Sequence, residues 1–164
     1  MKKTILISIL ILLLDIITKQ LVITNLLEHQ SITIINNFFS ITYAKNTGVA
    51  FSFLEGYLPL VILITSIIII SILIYIKKNN PNKYESICYG LILGGALGNL
   101  LDRIIYGYVI DFLDFTIFNY NYPIFNIADT FIVIGILILI ILSFKENKGS
   151  EKNETNSNRK IKNR

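Results

Sequence analysis

The chain has 164 residues, 53% of them hydrophobic, and a formal net charge of +4 at pH 7, with a mean hydropathy of +0.62. That is one domain's length and too apolar for an ordinary soluble domain, which places the chain among integral membrane proteins. The basic residues sit mostly in clusters beside apolar runs, a pattern of membrane topology that argues against a nucleic-acid partner. A single cysteine, Cys88, and a single histidine, His29, exclude an intrachain disulfide and leave a Cys/His metal site without ligands.

Four segments approach or exceed the ~20 apolar residues that cross a hydrocarbon core: about Thr4 to Leu27, Tyr57 to Ile76, Tyr84 to Ile105 and Ile127 to Phe144. Lys2 and Lys3 before the first give it the look of a signal peptide, but no small-residue cleavage site follows and Asp15 interrupts the run, so it reads as a retained helix. Between the first two spans, Ser31 to Ile35 and Phe38 to Tyr43 are rich in Ile, Thr, Phe and Tyr around Asn36 and Asn37, which predicts a hairpin or small sheet. The fold class expected is an all-α membrane protein of four transmembrane helices, with a small extracytoplasmic β-sheet after the first helix. Residues 1–145 form the membrane domain, with the outer sheet at about 28–56. Residues 146–164 are Lys, Asn, Glu and Ser with almost nothing apolar, the composition of a disordered basic tail.

Orientation follows from the charges. Lys2, Lys3, Lys77, Lys78, Lys83 and seven basic residues from Lys145 onward fall on one side, twelve of the fifteen in the chain, leaving Lys19, Lys45 and Arg103. The positive-inside rule then makes both termini and the middle loop cytoplasmic. The connections about Glu28 to Gly56 and Tyr106 to Asn126 face outward.

Several polar residues stand where an apolar sequence needs a reason for them. Ionisable groups within a span cost about 2.5–3.5 kcal/mol each at a helix centre on insertion scales, which marks them as functional candidates. Asp15 and Lys19 share a helical face four residues apart, either as a neutralising ion pair or as a contact to lipid headgroups. Gly90, Gly94 and Gly98 repeat every four residues and suit close helix packing. Gly95, Asn99 and Arg103 form an adjacent line with Asp102 beside it. Snorkelling accounts for Arg103 as well as function does, but not for Asn99 one turn deeper. Asn46, in the run Lys45 to Phe51, reads alone as a turn residue. Asn126 and Asp129 have the spacing of a helix cap. Asp111 and Asp129 are also two carboxylates flanking one aromatic outer segment, and such a pair can divide the work of general acid and general base.

Four blocks of the chain resemble lipoprotein signal peptidase, the bacterial aspartic signal peptidase II family. They are Asp15 with Lys19; Asn46, Gly48, Ala50 and Phe51; Gly95, Gly98, Asn99, Asp102, Arg103, Gly107, Val109, Asp111 and Phe112; and Phe125, Asn126, Ala128 and Asp129. The third and fourth together, in order on a four-span frame, are the specific ones. The resemblance runs from about Ile5 to Phe144 and leaves out the tail. It implies a membrane endopeptidase that removes the signal peptide of diacylglyceryl prolipoproteins, cutting just before the lipidated cysteine. Asp111 and Asp129 match the catalytic pair. Asn46, Asn99, Arg103 and Asn126 match polar positions lining the site, and Asp15, Lys19 and Gly95 match structural or substrate-side positions. The outer sheet matches a cradle over the membrane surface, the enzyme working as a monomer among membrane lipid in the bacterial cytoplasmic membrane.

Two carboxylates suffice for hydrolysis with no metal or cofactor, one taking a proton from water and the other protonating the scissile carbonyl. A first turn of helix at Asp129 favours its charged form. Asp111, among Val109, Ile110, Phe112 and Phe115, feels more desolvation and keeps the proton. Asp114, three residues on, is expected to stand apart. The alternatives are a small proton or cation transporter with Asp15, Asp111 and Asp129 as a relay, and a structural membrane subunit whose acids only cap or pair. Reporter domains fused after Asn37 and after Tyr120 are expected to lie outside intact cells; protease accessibility from the cytoplasm at either fusion contradicts the topology.

Overall fold

The structure is a computed structural model describing residues 1–48 and 55–162, with side chains described as far as Lys145. Helix α1 spans Lys2–Asn25, strand β1 Ser31–Ile35, β2 Phe39–Asn46, helix α2 Leu58–Asn79, α3 Lys83–Tyr106, β3 Val109–Ile117, β4 Tyr120–Asn121 and α4 Ile127–Lys162. All four helices carry a stretch long and apolar enough to cross a membrane, that of α4 ending at Lys145. Past Lys145 the backbone is helical to Lys162.

Helix α3 is the axis of the bundle. In its membrane stretch 61% of residues are buried, against 28%, 17% and 11% in α1, α2 and α4. Its composition makes this possible, because small residues let neighbouring backbones approach in a medium where apolar burial drives nothing by itself. A Cβ on Gly90 would stand 2.7 Å from the Cβ of Ile7, one on Gly94 2.7 Å from the Ser8 carbonyl oxygen, and one on Gly98 would collide with the Asp15 carboxylate. The glycine line thus seats α1. Gly95 faces the other way, where a Cβ would strike the Ala128 carbonyl oxygen of α4. Helix α2 packs on α3 through Ile69, Ile76, Leu93 and Ala96.

Asn82 starts α3 with a full capping box, its side chain accepting from the N–H groups of Tyr84 and Glu85 while Glu85 returns a bond to the Asn82 N–H. Gly107 ends it at φ +83°, a left-handed turn that glycine takes without a Cβ penalty. That turn sends the chain straight into β3. The sheet expected after α1 is therefore larger than the first connection alone supplies: it is four-stranded and antiparallel, in the order β1-β2-β3-β4, with Ser40 opposite Asp114 and Asn46 opposite Val109. The irregular register between Ile41 and Ala44 bends β2 beside Asp111. Val22 and Leu26 of α1 pack with Tyr43, Ile110 and Phe112 to seat the sheet on the bundle end. Outside the hydrocarbon, burial of such side chains is worth about 1.5–3 kcal/mol each. His29 takes a turn conformation at φ 64° with its ring in solvent, as a loop histidine should.

Gly94→Ala is expected to push α1 and α3 apart and destabilise the protein by about 1–3 kcal/mol, as overpacking does. A lowered thermal midpoint in detergent checks this, and an unchanged midpoint contradicts the close approach.

Candidate active site

Three elements bring the polar residues together at the sheet end of the bundle. Strand β3 carries Asp111. Phe125, just before α4, pairs with the same strand: its carbonyl accepts from the Phe112 and Leu113 N–H groups at 3.0 and 2.7 Å, and its N–H donates to the Leu113 carbonyl at 3.2 Å. This pins the start of α4 beside Asp111. Asn126 then caps the helix as its spacing predicts. Its Oδ1 accepts from the Asp129 N–H at 2.9 Å, and Asp129 Oδ2 accepts weakly from the Asn126 N–H at 3.4 Å. The cap does not compete with a catalytic role, because the rest of each side chain is turned toward Asp111 and Asn99. Asn126 Nδ2 donates to Asp111 Oδ1 at 2.7 Å and to Asn99 Oδ1 at 3.1 Å.

The directions of these bonds are forced. Lys19, almost wholly buried, places Nζ 3.0 Å from Asn99 Oδ1. An ammonium only donates, so Asn99 must present its oxygen to Lys19 and its amide to the other side. There Asn99 Nδ2 donates to Asp129 Oδ1 at 2.7 Å. Asn46, from the end of β2, donates through Nδ2 to Asp111 Oδ2 at 2.9 Å, while its Oδ1 accepts from the Gly48 N–H at 3.0 Å. Asn46 thus makes the turn expected of it and at the same time bonds Asp111. Each carboxylate thus receives at least one amide from a fixed neighbour. Burial, and after it the negative charge of Asp129, push the Asp111 carboxyl up to about 7, against the hydrogen bonds from Asn46 and Asn126 that favour its ionised form.

Below this layer Lys19 makes two ion pairs, at 2.7 Å to Asp15 Oδ2 and 2.8 Å to Asp102 Oδ2. The neutralising pair expected of Asp15 and Lys19 is therefore present, with a third member whose part was not foreseen. Asp102 Oδ2 also accepts from the Ile110 N–H at 3.1 Å, and Asp15 Oδ1 accepts from the Ala128 N–H at 3.0 Å. The available signal for Asp102 was charge balance, since the spans hold more carboxylates than the two cations Lys19 and Arg103 can match. Arg103 does not snorkel. It is 7% exposed and donates to the Gly48 carbonyl at 2.7 Å and, at 3.4 Å, to the Asn99 carbonyl, so it grips the loop entering residues 49–54. Ala50 and Phe51 lie outside the described residues. Gly95 lets the α4 backbone approach α3 one turn from Asn99, which puts Asp129 within reach of that amide. Asp114 stands apart, accepting from the Thr42 hydroxyl at 2.7 Å. Among the described residues no group of three or more His, Cys, Asp or Glu side chains converges to hold a metal ion.

Two carboxylates, oriented by three asparagine amides at the end of a four-helix membrane bundle, form a site able to take and give protons. Residues 7–145 match the family described as signal peptidase (SPase) II. The chain belongs to the signal peptidase II family. Lipoprotein signal peptidase of Halothermothrix orenii is 44% identical over 138 residues, covering 84% of this chain and 92% of that protein. That of Staphylococcus haemolyticus is 38% identical, covering 90% and 94%. A solved bacterial membrane enzyme superposes with a TM-score of 0.85 at 35% identity, over 91% of this chain and 92% of the other. This signal peptidase is thus a multi-pass membrane protein of the same fold, with the small sheet included.

Asp111→Asn is expected to lower the cleavage rate of this peptidase by about 10²–10⁴-fold, the usual worth of a general acid or base, while Asp114→Asn at equal expression leaves cleavage close to wild type. Loss with the Asp114 variant and retention with the Asp111 variant reverses the assignment.

Proposed function

We propose that this signal peptidase is an aspartic endopeptidase that removes the signal peptides of diacylglyceryl prolipoproteins, cutting just before the lipidated cysteine, with Asp111 and Asp129 as its catalytic pair. The observation that carries the reading is the pair of bonds from one residue, Asn126, whose amide holds Asp111 and whose carbonyl oxygen holds the Asp129 backbone. Lipoprotein substrates come from the names of relatives 36–44% identical; the lipidated cysteine comes from the motif resemblance. A diacylated cysteine stays in the bilayer, so its bond is delivered to a site at the membrane surface, where the sheet meets the helix ends. The basic residues put that surface on the outer face, with both termini in the cytoplasm. A transporter relay is less well supported, because Asp15, Asp111 and Asp129 are tied into one cluster through the start of α4 and are not strung along the bundle.

In the reaction, water attacks the scissile carbonyl carbon as ionised Asp129 takes one of its protons and protonated Asp111 gives one to the carbonyl oxygen. The tetrahedral diol collapses as the C–N bond breaks. The leaving amine takes the proton from Asp129, and a diol hydroxyl returns one to Asp111, which restores the starting pair. The Asp129 position favours the charged role, since the helix N-terminus and the Asn99 amide both face it. Asn46, Asn99 or Arg103 hold peptide carbonyls of the substrate once it displaces their present partners.

The test is incubation of detergent-purified protein with a synthetic diacylglyceryl prolipoprotein, read by mass. The expected products are the free signal peptide and a protein beginning at the lipidated cysteine; an intact substrate, or a cut elsewhere, overturns the proposal. The acid must carry its proton, so kcat is expected to fall as pH rises through about 7, as a limb belonging to the coupled pair. Asn46 donates to Asp111 and favours its ionised form, so Asn46→Ala is expected to move that alkaline limb to higher pH. A shift to lower pH contradicts the acid role of Asp111.

A further inference from the structure

The cluster around Lys19 is buried, Asp15 and Lys19 almost wholly and Asp102 to 7% exposure, and it contacts neither the Asp111 nor the Asp129 carboxylate directly. Neutralising Lys19 would need one carboxylate; it has two, and each has a second bond to a backbone N–H. Asp102 accepts from Ile110, the residue before Asp111, and Asp15 accepts from Ala128, the residue before Asp129. The connection is unbroken: Ile110 N–H, Asp102, Lys19, Asp15, Ala128 N–H, with links of 3.1, 2.8, 2.7 and 3.0 Å. It adds a second tie between two segments that also meet directly, through the backbone pairing of Phe125 with Phe112 and Leu113 and through Asn126, and it is the tie that acts on the residue just before each aspartate.

Resting on the aspartate-pair reading, we infer that Asp102 is a positioning residue for the hydrolysis, one arm of a Lys19-centred bridge that sets the separation of Asp111 and Asp129 by holding the backbone immediately before each. Among the described residues, the direct packing of β3 on α1, which contributes Lys19 and Asp15, is apolar, Val22 and Leu26 against Ile110 and Phe112. Apolar packing resists separation but not sliding, whereas a charge-assisted N–H to carboxylate bond is directional. A dyad that must contact one water and one carbonyl tolerates little sliding, since a misplacement of about 1 Å costs on the order of 10²-fold in rate. The bridge also explains Gly98, whose missing Cβ leaves room for the Asp15 carboxylate at the centre of the span.

The test compares Asp102→Ala with Asp102→Asn in the full-length protein. The alanine variant leaves Lys19 paired with Asp15, so the buried charge stays balanced, but the Ile110 N–H loses its acceptor. The asparagine variant has no charge and keeps a carbonyl oxygen for that N–H. We expect Asp102→Ala to lower kcat about 10²-fold with KM within twofold, and Asp102→Asn to recover most of it. Amide hydrogen exchange supplies a readout independent of activity: Ile110 should lose protection in the alanine variant while Leu113 and Phe125 keep theirs, showing that the sheet is intact. Wild-type kcat in Asp102→Ala, or kcat equally low in both variants, overturns the inference, as does unchanged Ile110 protection. If the alanine variant does not fold, Asp102→Ser, which keeps a polar group too short to reach Ile110, replaces it with the same expectations. Asp111→Asn and Asp129→Asn run alongside. Cleavage surviving in either removes the aspartate pair itself, whereas loss in both with an unaffected Asp102→Ala removes only the bridge.

Discussion

Everything at the sheet end of this molecule depends on where a buried ammonium can find partners. Lys19 is 2% exposed, and its ammonium makes ion pairs with Asp15 and Asp102 and donates to the carbonyl oxygen of Asn99. Breaking a buried pair by removing one partner costs about 3–5 kcal/mol, because the remaining charge has no water to turn to. The matching therefore dictates the order of the elements around it. α1 must lie against α3 at the glycine line, α4 must start where Asp15 can cap it, and β3 must leave α3 where Asp102 can take its first amide. Helix packing without a hydrophobic driving force is otherwise permissive; the ionic cluster supplies the directional part.

The cation also sets chemistry at a distance of one residue. By accepting only at its oxygen, Asn99 is held in one of its two amide orientations, and its N–H groups are committed to Asp129. Asn126, bonded to the same oxygen, is committed in turn to Asp111. Neither orientation is chosen by the carboxylates, which accept from any donor. The two carboxylates are thus held from beneath, by amides whose orientation the buried cation fixes.

Much of this was legible in the chain itself. The four spans follow from run length to within a few residues, and Asp111, Asp129, Asn46, Asn99, Arg103 and Asn126 stood out as polar residues in apolar surroundings. What the sequence did not reveal was mostly non-local. The third and fourth strands come from a segment whose Val, Ile, Phe and Thr also suit a membrane-surface loop, and only pairing with β2 decides between the two. Snorkelling accounted for Arg103 as well as function did, because its acceptor, the Gly48 carbonyl, is a backbone atom that no side-chain pattern announces. Asp102 was hidden for the same reason, since its role lies in the Ile110 N–H. Two bland readings, Asn126 and Asp129 as a cap and Asn46 as a turn, were accurate, and the same side chains also meet at Asp111 or Asn99: a helix cap can aim a carboxylate.

The four-residue spacing of Asp15 and Lys19 has a consequence for how the protein is made. Synthesis runs from the N-terminus, so α1 reaches the bilayer before α3 and α4 exist to supply Asp102, Asn99 or the Ala128 amide. Two ionised groups entering singly would each carry an insertion penalty of about 2.5–3.5 kcal/mol at mid-span. Adjacent turns of one helix let them cancel each other in cis during that interval. The pair is thus a travelling counter-ion, complete in the nascent helix, and the later elements recruit it into the bridge without either charge ever having been alone in lipid.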